Sequence, residues 1–197
     1  IRTVEALELR LATGAPEAVF VWSRDRCETW NIPDAPARAL RAADGTVRFI
    51  AAKDAPEGFL PNGIALMPDR TILIANLGPS GGIWSMQPDG RLIPRLLEID
   101  GVPLPPTNFV GLDRAGRIWI TVSTRQLPRE KAFRKGWADG FVAVLANGAA
   151  RIVADGLGYT NEAIVDPSGR WLTVNETIAR RTVRFPVQDN GDLGPRE

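Results

Sequence analysis

One pattern recurs four times along this 197-residue chain, and it constrains the fold more than any other feature. Its clearest copy is TNEAIVDPSGRWLTVNET, Thr160 to Thr177. A polar entry leads to an apolar run (Ala163, Ile164, Val165), an Asp166-Pro167-Ser168-Gly169 turn signal and a second apolar run (Trp171, Leu172, Val174). Two short apolar runs joined by Asp, Pro, Ser and Gly read as a β-hairpin, because those residues fix or tolerate the dihedrals of a tight reversal. Asn108 opens a second copy (NFVGLDRAGRIWITV), Asn62 a third (NGIALMPDRTILIAN) and Glu17 a fainter fourth (EAVFVWSRDRCETWN). Aligned without gaps, Val19 and Val21 fall on Ile64 and Leu66, and Asn31 falls on Asn76 and Asn175. An Asx-Gly pair follows each hairpin, at Asp44-Gly45, Asp89-Gly90, Asn147-Gly148 and Asn190-Gly191. The openers lie 45, 46 and 53 residues apart. A period of this length, with four short strands and two Gly-containing turns, predicts an all-β fold: a β-propeller of four-stranded antiparallel blades forming a single domain over 1–197. A plain all-β protein or a solenoid are the competing readings; the Asx-Gly turns and the strand tryptophans Trp84, Trp119 and Trp171 favour blades.

Composition narrows the chemistry. Lys+Arg number 24 against 23 Asp+Glu, a net charge of +1, so there is no electrostatic reason to expect nucleic acid or an acidic membrane surface as a partner. The apolar runs are too short for a membrane span. The expected partner is a small-molecule substrate, and the expected location, in the absence of a signal-peptide pattern, is cytoplasmic. The single cysteine, Cys27, excludes an intramolecular disulfide and a cysteine zinc cage, and its strand position equivalent to Ile72 reads as a packed thiol. Histidine is absent, which removes Ser-His-Asp hydrolysis, Cys-His chemistry and His-ligated zinc. Catalysis here must use carboxylates, amides, Lys/Arg, hydroxyls or a metal held by oxygen.

Outside the inner hairpins, outer strands are expected at Thr46–Ile50, Ile83–Met86, Arg91–Leu97, Phe141–Leu145, Ala150–Val153 and Arg181–Val187. Ile32–Arg41, with two prolines, is the least regular part, and Val102–Pro106 (VPLPP) is rigid and extended, delivering Asn108. Ser123–Asp139 is the longest polar insertion and carries Arg125, Arg129, Lys131, Arg134 and Lys135. It is either a solvated loop or a lid over one mouth of the propeller, with Arg125 the residue expected to touch substrate.

In a propeller the innermost strands line a central channel, so Glu17, Asn62, Asn108 and Asn161 should converge at its mouth. One carboxylate and several amide carbonyls form a hard oxygen-donor ring suited to Ca²⁺, Mg²⁺ or Mn²⁺, and less specifically to Zn²⁺. The alternative is that each Asn merely turns the chain before a strand.

The segments LPNGIALMPD, TNFVGLDRAGRIWIT and GYTNEAIVDPSGRWLTVNET resemble the senescence-marker-protein/gluconolactonase/luciferin-regenerating family of six-bladed propellers. The resemblance runs from about Glu17 onward, with about four of six blades present. It implies one divalent cation, Ca²⁺ first among the candidates, held by Glu17 and Asn161, with Asn108 touching substrate or a metal-bound water. It also implies a blade-five Asp beyond residue 197. The sequence departs from the family pattern at Asn161-Glu162 (usually Asn-Gly), at Glu176-Thr177 (usually Asp-Thr or Asp-Ser) and around Glu17, which follows Pro16 and precedes Ala18 instead of Gly-Pro. NETIARRTVRF is also similar to strictosidine-synthase-like propellers, which share six blades without this metal site. The expected activity is divalent-metal-dependent hydrolysis of lactones or related small esters. A non-catalytic metal- or ligand-binding propeller and a strictosidine-synthase-like one are the alternatives.

Overall fold

The computed structural model describes residues 19–21, 37–41, 47–69 and 71–197. Four antiparallel sheets follow one another along the chain, each an up-and-down meander. The first comprises β1 (Val19–Val21), β2 (Ala37–Arg41) and β3 (Val47–Ala51). The second comprises β4 (Pro61–Leu66), β5 (Ile72–Asn76), β6 (Ile83–Met86) and β7 (Leu92–Leu96). A two-stranded hairpin, β8 (Glu98–Ile99) and β9 (Val102–Pro103), leads to the third sheet: β10 (Phe109–Leu112), β11 (Ile118–Val122), β12 (Gly140–Ala146) and β13 (Ala149–Leu157). The fourth comprises β14 (Thr160–Val165), β15 (Trp171–Glu176) and β16 (Arg181–Pro186). Each repeat predicted from the sequence is therefore one sheet, and the order within each sheet is the chain order.

The cores lie between sheets, as blades require. Strand period two sends alternate residues to opposite faces. In β11, Ile118, Ile120 and Val122 pack against Leu73, Ala75 and Ile83 of the second sheet. Trp119, one residue out of phase, packs with Val142 and Val144 against Ala163, Leu172, Val174 and Phe185 of the fourth. β5 and β11 are consequently buried at every residue, a pattern a sheet shows only when covered on both faces. Gly63 lies where the second and third sheets approach closely: a Cβ there would lie 2.7 Å from Phe109 Cα, so a larger residue would force the main chain to shift.

Three local expectations change. Ile32–Arg41 was expected to be irregular, yet Ala37–Arg41 forms β2 and pairs with β1, placing Phe20 opposite Leu40. Among the described residues the partner of β1 is β2; the rest of the 17–31 hairpin, Cys27 and Asn31 included, lies outside them. The ungapped register also fails in the fourth sheet. Met67 N bonds Thr71 O across the turn of the second sheet, and Asp113 N bonds Arg117 O in the third, but Asp166 N bonds Trp171 O. One extra residue in that turn moves the partner of the strand opener along by one. Asn76 faces Pro61, whereas Glu176, not Asn175, faces Thr160. Asn175 is exposed and bonds Thr182 Oγ1 at 2.9 Å instead. Finally, VPLPP is not wholly a rigid lead-in, because Val102–Pro103 pairs with Glu98–Ile99.

Candidate functional site at the channel mouth

Three of the four openers meet. Asn62 is the second residue of β4, Asn108 immediately precedes β10, and Asn161 is the second residue of β14. Their amides form a chain. Asn62 Nδ2 donates to the Asn108 backbone oxygen at 2.7 Å and to Asn108 Oδ1 at 3.1 Å. Asn108 Nδ2 in turn donates to Asn161 Oδ1 at 2.9 Å. The backbones are tied in parallel: Gly63 N donates to Asn108 O at 3.1 Å, and Thr121 Oγ1 to Asn161 O at 2.6 Å. Asn108 is 6% exposed, and Asn62 and Asn161 are half-buried. The fourth opener, Glu17, lies outside the described residues.

The strand ends at this mouth are fastened by buried polar groups. Asn76, fully buried at the end of β5, accepts from Leu60 N and Gly78 N through Oδ1 and donates to Ser80 Oγ and Gly81 O through Nδ2. Glu176 holds the corresponding place at the end of β15. It is 1% exposed. Its carboxylate accepts from Gly158 N, from Arg181 Nε at 2.7 Å and from Arg181 Nη2 at 3.1 Å. Burial pushes its pKa upward, but the Arg181 guanidinium and the Gly158 N–H more than offset this and hold the carboxyl below the usual glutamate range. The ungapped register points to Asn175 at this place, whereas the family resemblance ends the hairpin at Glu176-Thr177, where the buried anchor lies.

The 123–139 insertion follows β11 and so lies at this same mouth. It contains one short 3₁₀ turn, Arg129–Ala132. Arg125, expected to touch substrate, forms a two-pronged ion pair with Asp155 (2.8 and 2.9 Å), and its guanidinium stands 4.5 Å from the Phe141 ring centroid. Burial alone would raise the Asp155 pKa; the Arg125 bonds and the Gly156 N–H bring it below the usual aspartate range. Arg129 reaches across to the Tyr159 hydroxyl at 2.8 Å, Phe133 meets the Tyr159 ring edge-on, and Arg134 stacks on Trp137. The loop is thus pinned to the third sheet and to the entry of the fourth.

A hard divalent cation takes roughly six to eight oxygen ligands, carboxylates prominent among them. Asn161 Oδ1 accepts one hydrogen bond, and an amide oxygen has a second lone pair, so Asn161 fits as one neutral ligand. Glu162, exposed beside it, is a carboxylate at the same strand entry. Among the described residues no group of three or more His, Cys, Asp or Glu side chains is arranged to hold a metal.

Successive antiparallel meanders, packed face to face and opened by asparagines that meet at one end, define this molecule as a β-propeller protein. The chain belongs to the SMP-30/Gluconolactonase/LRE-like family, whose model matches residues 20–197. No curated protein matches the sequence. Among solved structures it resembles a gluconolactonase from Xanthomonas campestris, at 22% identity and a TM-score of 0.65, over 82% of this chain and 54% of that one. It also resembles a putative gluconolactonase at 18% identity and a TM-score of 0.63, over 80% and 54% of the two chains. A third is a calcium-binding regucalcin from Agrobacterium tumefaciens, at 19% identity and a TM-score of 0.54, over 82% and 50%. The chain therefore spans about half the length of these proteins.

Proposed function

We propose that the mouth lined by Asn62, Asn108 and Asn161 is the site of a divalent-metal-dependent hydrolase acting on lactones or related small esters. The observation that carries this reading is the convergence of the three amides, from three successive blades, in a chain belonging to the gluconolactonase-type family. Asn161 Oδ1 and Glu17 are the proposed ligands of the cation, with Glu162 available as a second carboxylate. Bound there, a divalent cation supplies Lewis-acid polarisation of an ester carbonyl and acidifies a bound water.

The side chains have separate tasks. Asn108 gives one amide proton to Asn161 and retains a second, which orients a substrate oxygen at the mouth. Arg125 is committed to Asp155, so its contribution to substrate binding is the shape and charge of the loop edge. The structural likeness to gluconolactonases and to a calcium-binding relative supports the substrate class and the choice of Ca²⁺ as first candidate. The test is hydrolysis of a panel of sugar and aliphatic lactones by metal-stripped protein, before and after adding Ca²⁺, Mg²⁺, Mn²⁺ or Zn²⁺. Metal-restored turnover supports the reading; metal binding without turnover would leave a binding propeller.

A further inference from the structure

A backbone carbonyl decides which way the three asparagine amides point. The two ends of a primary amide have nearly the same shape, so a chain of asparagines can run in either direction unless one end meets a group that can only donate or only accept. Here that group is Asn108 O, 2.7 Å from one end of the Asn62 amide. A carbonyl oxygen has no proton to give, so that end of Asn62 is Nδ2. The same nitrogen lies 3.1 Å from the Asn108 side chain, which must therefore present Oδ1. Asn108 Nδ2 is then turned toward Asn161, which answers with Oδ1 at 2.9 Å. Each orientation follows from the one before it, starting from a single main-chain atom.

We propose that Asn62 is the positioning residue of the mouth: by donating to Asn108 O and Asn108 Oδ1 it sets the direction of the Asn108 amide and, through it, of the Asn161 amide. Asn62 acts on the Asn161 amide through Asn108. Were the chain reversed, Asn161 would turn an N–H toward Asn108, and its oxygen would swing away from the ring direction. The backbone does not depend on this chain, since Gly63 N holds Asn108 O and Thr121 Oγ1 holds Asn161 O independently. Amide direction at Asn161 is thus a property that residue 62 can change while the blades stay packed. Only the consequence for cation binding rests on the proposed function; the directional claim does not.

Asn62→Asp is the discriminating variant, because it keeps the shape and removes the donor. Both short contacts become oxygen on oxygen, so the Asn108 amide must turn Nδ2 toward residue 62 and Oδ1 toward Asn161, which must turn in its place. Nitrogen-15 NMR of the side-chain amides, assigned with Asn108→Ala and Asn161→Ala, is expected to show the Asn161 pair displaced, although residues 62 and 161 share no hydrogen bond. Calorimetric titration with Ca²⁺ and Mn²⁺ is expected to show affinity weakened about 10- to 100-fold, the scale for losing the outer partner of a metal ligand. Bare Coulomb attraction from the added carboxylate predicts the opposite sign. An Asn161 pair that stays in place while the Asn108 pair moves, or tighter cation binding, would overturn the proposal. Asn62→Ala removes the donor without adding charge and covers the case in which the aspartate disturbs folding; it is expected to displace the same Asn161 resonances, and an undisturbed pair would overturn the claim. If the parent protein binds no divalent cation, the metal reading fails on its own, and the NMR comparison still decides the direction of the amides.

Discussion

Replacing Glu176 by Gln should cost stability at neutral pH and very little in acid. The carboxylate is buried at the end of β15, with Gly158 N–H and two Arg181 N–H groups on its two oxygens. Glutamine keeps one carbonyl but turns an NH₂ toward at least one of these donors, so one charge-assisted bond is lost and a donor is left facing a donor. Arg181 is 46% exposed on its side chain and rehydrates when released, which removes the larger penalty of stranding a buried cation. One bond to a charged group is worth roughly 1.5–3 kcal/mol, so a loss of about 2–3 kcal/mol is expected at pH 7. At about 2–4 °C per kcal/mol for a chain of this size, the melting temperature should fall by roughly 4–12 °C. The pH dependence has a definite sign. The folded carboxyl titrates below its ordinary value of 4.5, so its stabilisation is fully present above that value and is lost as pH falls through the lower folded value. Urea denaturation of both proteins from pH 7 to pH 3 should show two curves that converge in acid, mostly below 4.5. A variant as stable as the parent at pH 7, or a gap constant down to pH 3, would refute the reasoning.

Three further outcomes are expected. Gly63→Ala places a Cβ 2.7 Å from Phe109 Cα and 3.0 Å from Asn108 O, both main-chain atoms, and should destabilise by about 1–3 kcal/mol in thermal melts while loosening the Asn108 contact. Arg125→Ala should alter the Michaelis constant for lactone more than the turnover number, if turnover is found, because the side chain shapes the loop through Asp155 and Phe141 rather than contacting the reacting carbonyl; steady-state kinetics decide this. Asp113→Asn removes the charge that accepts from Arg117 Nε at 2.6 Å and Trp119 Nε1 at 2.8 Å at the turn between β10 and β11, and should cost about 1–3 kcal/mol in denaturant titration without changing cation affinity.

The repeat carried most of this fold in plain view. Period-two alternation and Asx-Gly turns located the outer strands to within a few residues, as at β6, where the expectation and the strand coincide at Ile83–Met86. Convergence of Asn62, Asn108 and Asn161 also followed from their shared place in the repeat. What could not be read is whatever depends on a single residue of register or on contacts far apart in sequence. The fourth hairpin has one more turn residue, which no local pattern announces, and so Glu176 rather than Asn175 became the buried anchor. Arg125 reads from the sequence as a substrate contact, and its ion pair is hidden because the partner, Asp155, is thirty residues away on β13. Amide direction was equally hidden, since it is fixed by a main-chain oxygen and not by residue type.

The most direct test of the account is cation titration into metal-stripped protein, comparing the parent with Glu17→Gln and Asn161→Ala, followed by lactone hydrolysis by the same samples. The parent is expected to bind a divalent cation and to turn over lactone only when loaded. Glu17→Gln, which removes the formal charge among the openers, should weaken binding well beyond Asn161→Ala, whose neutral oxygen water can replace. Unchanged affinity in Glu17→Gln, or lactone turnover indifferent to the cation, would contradict it.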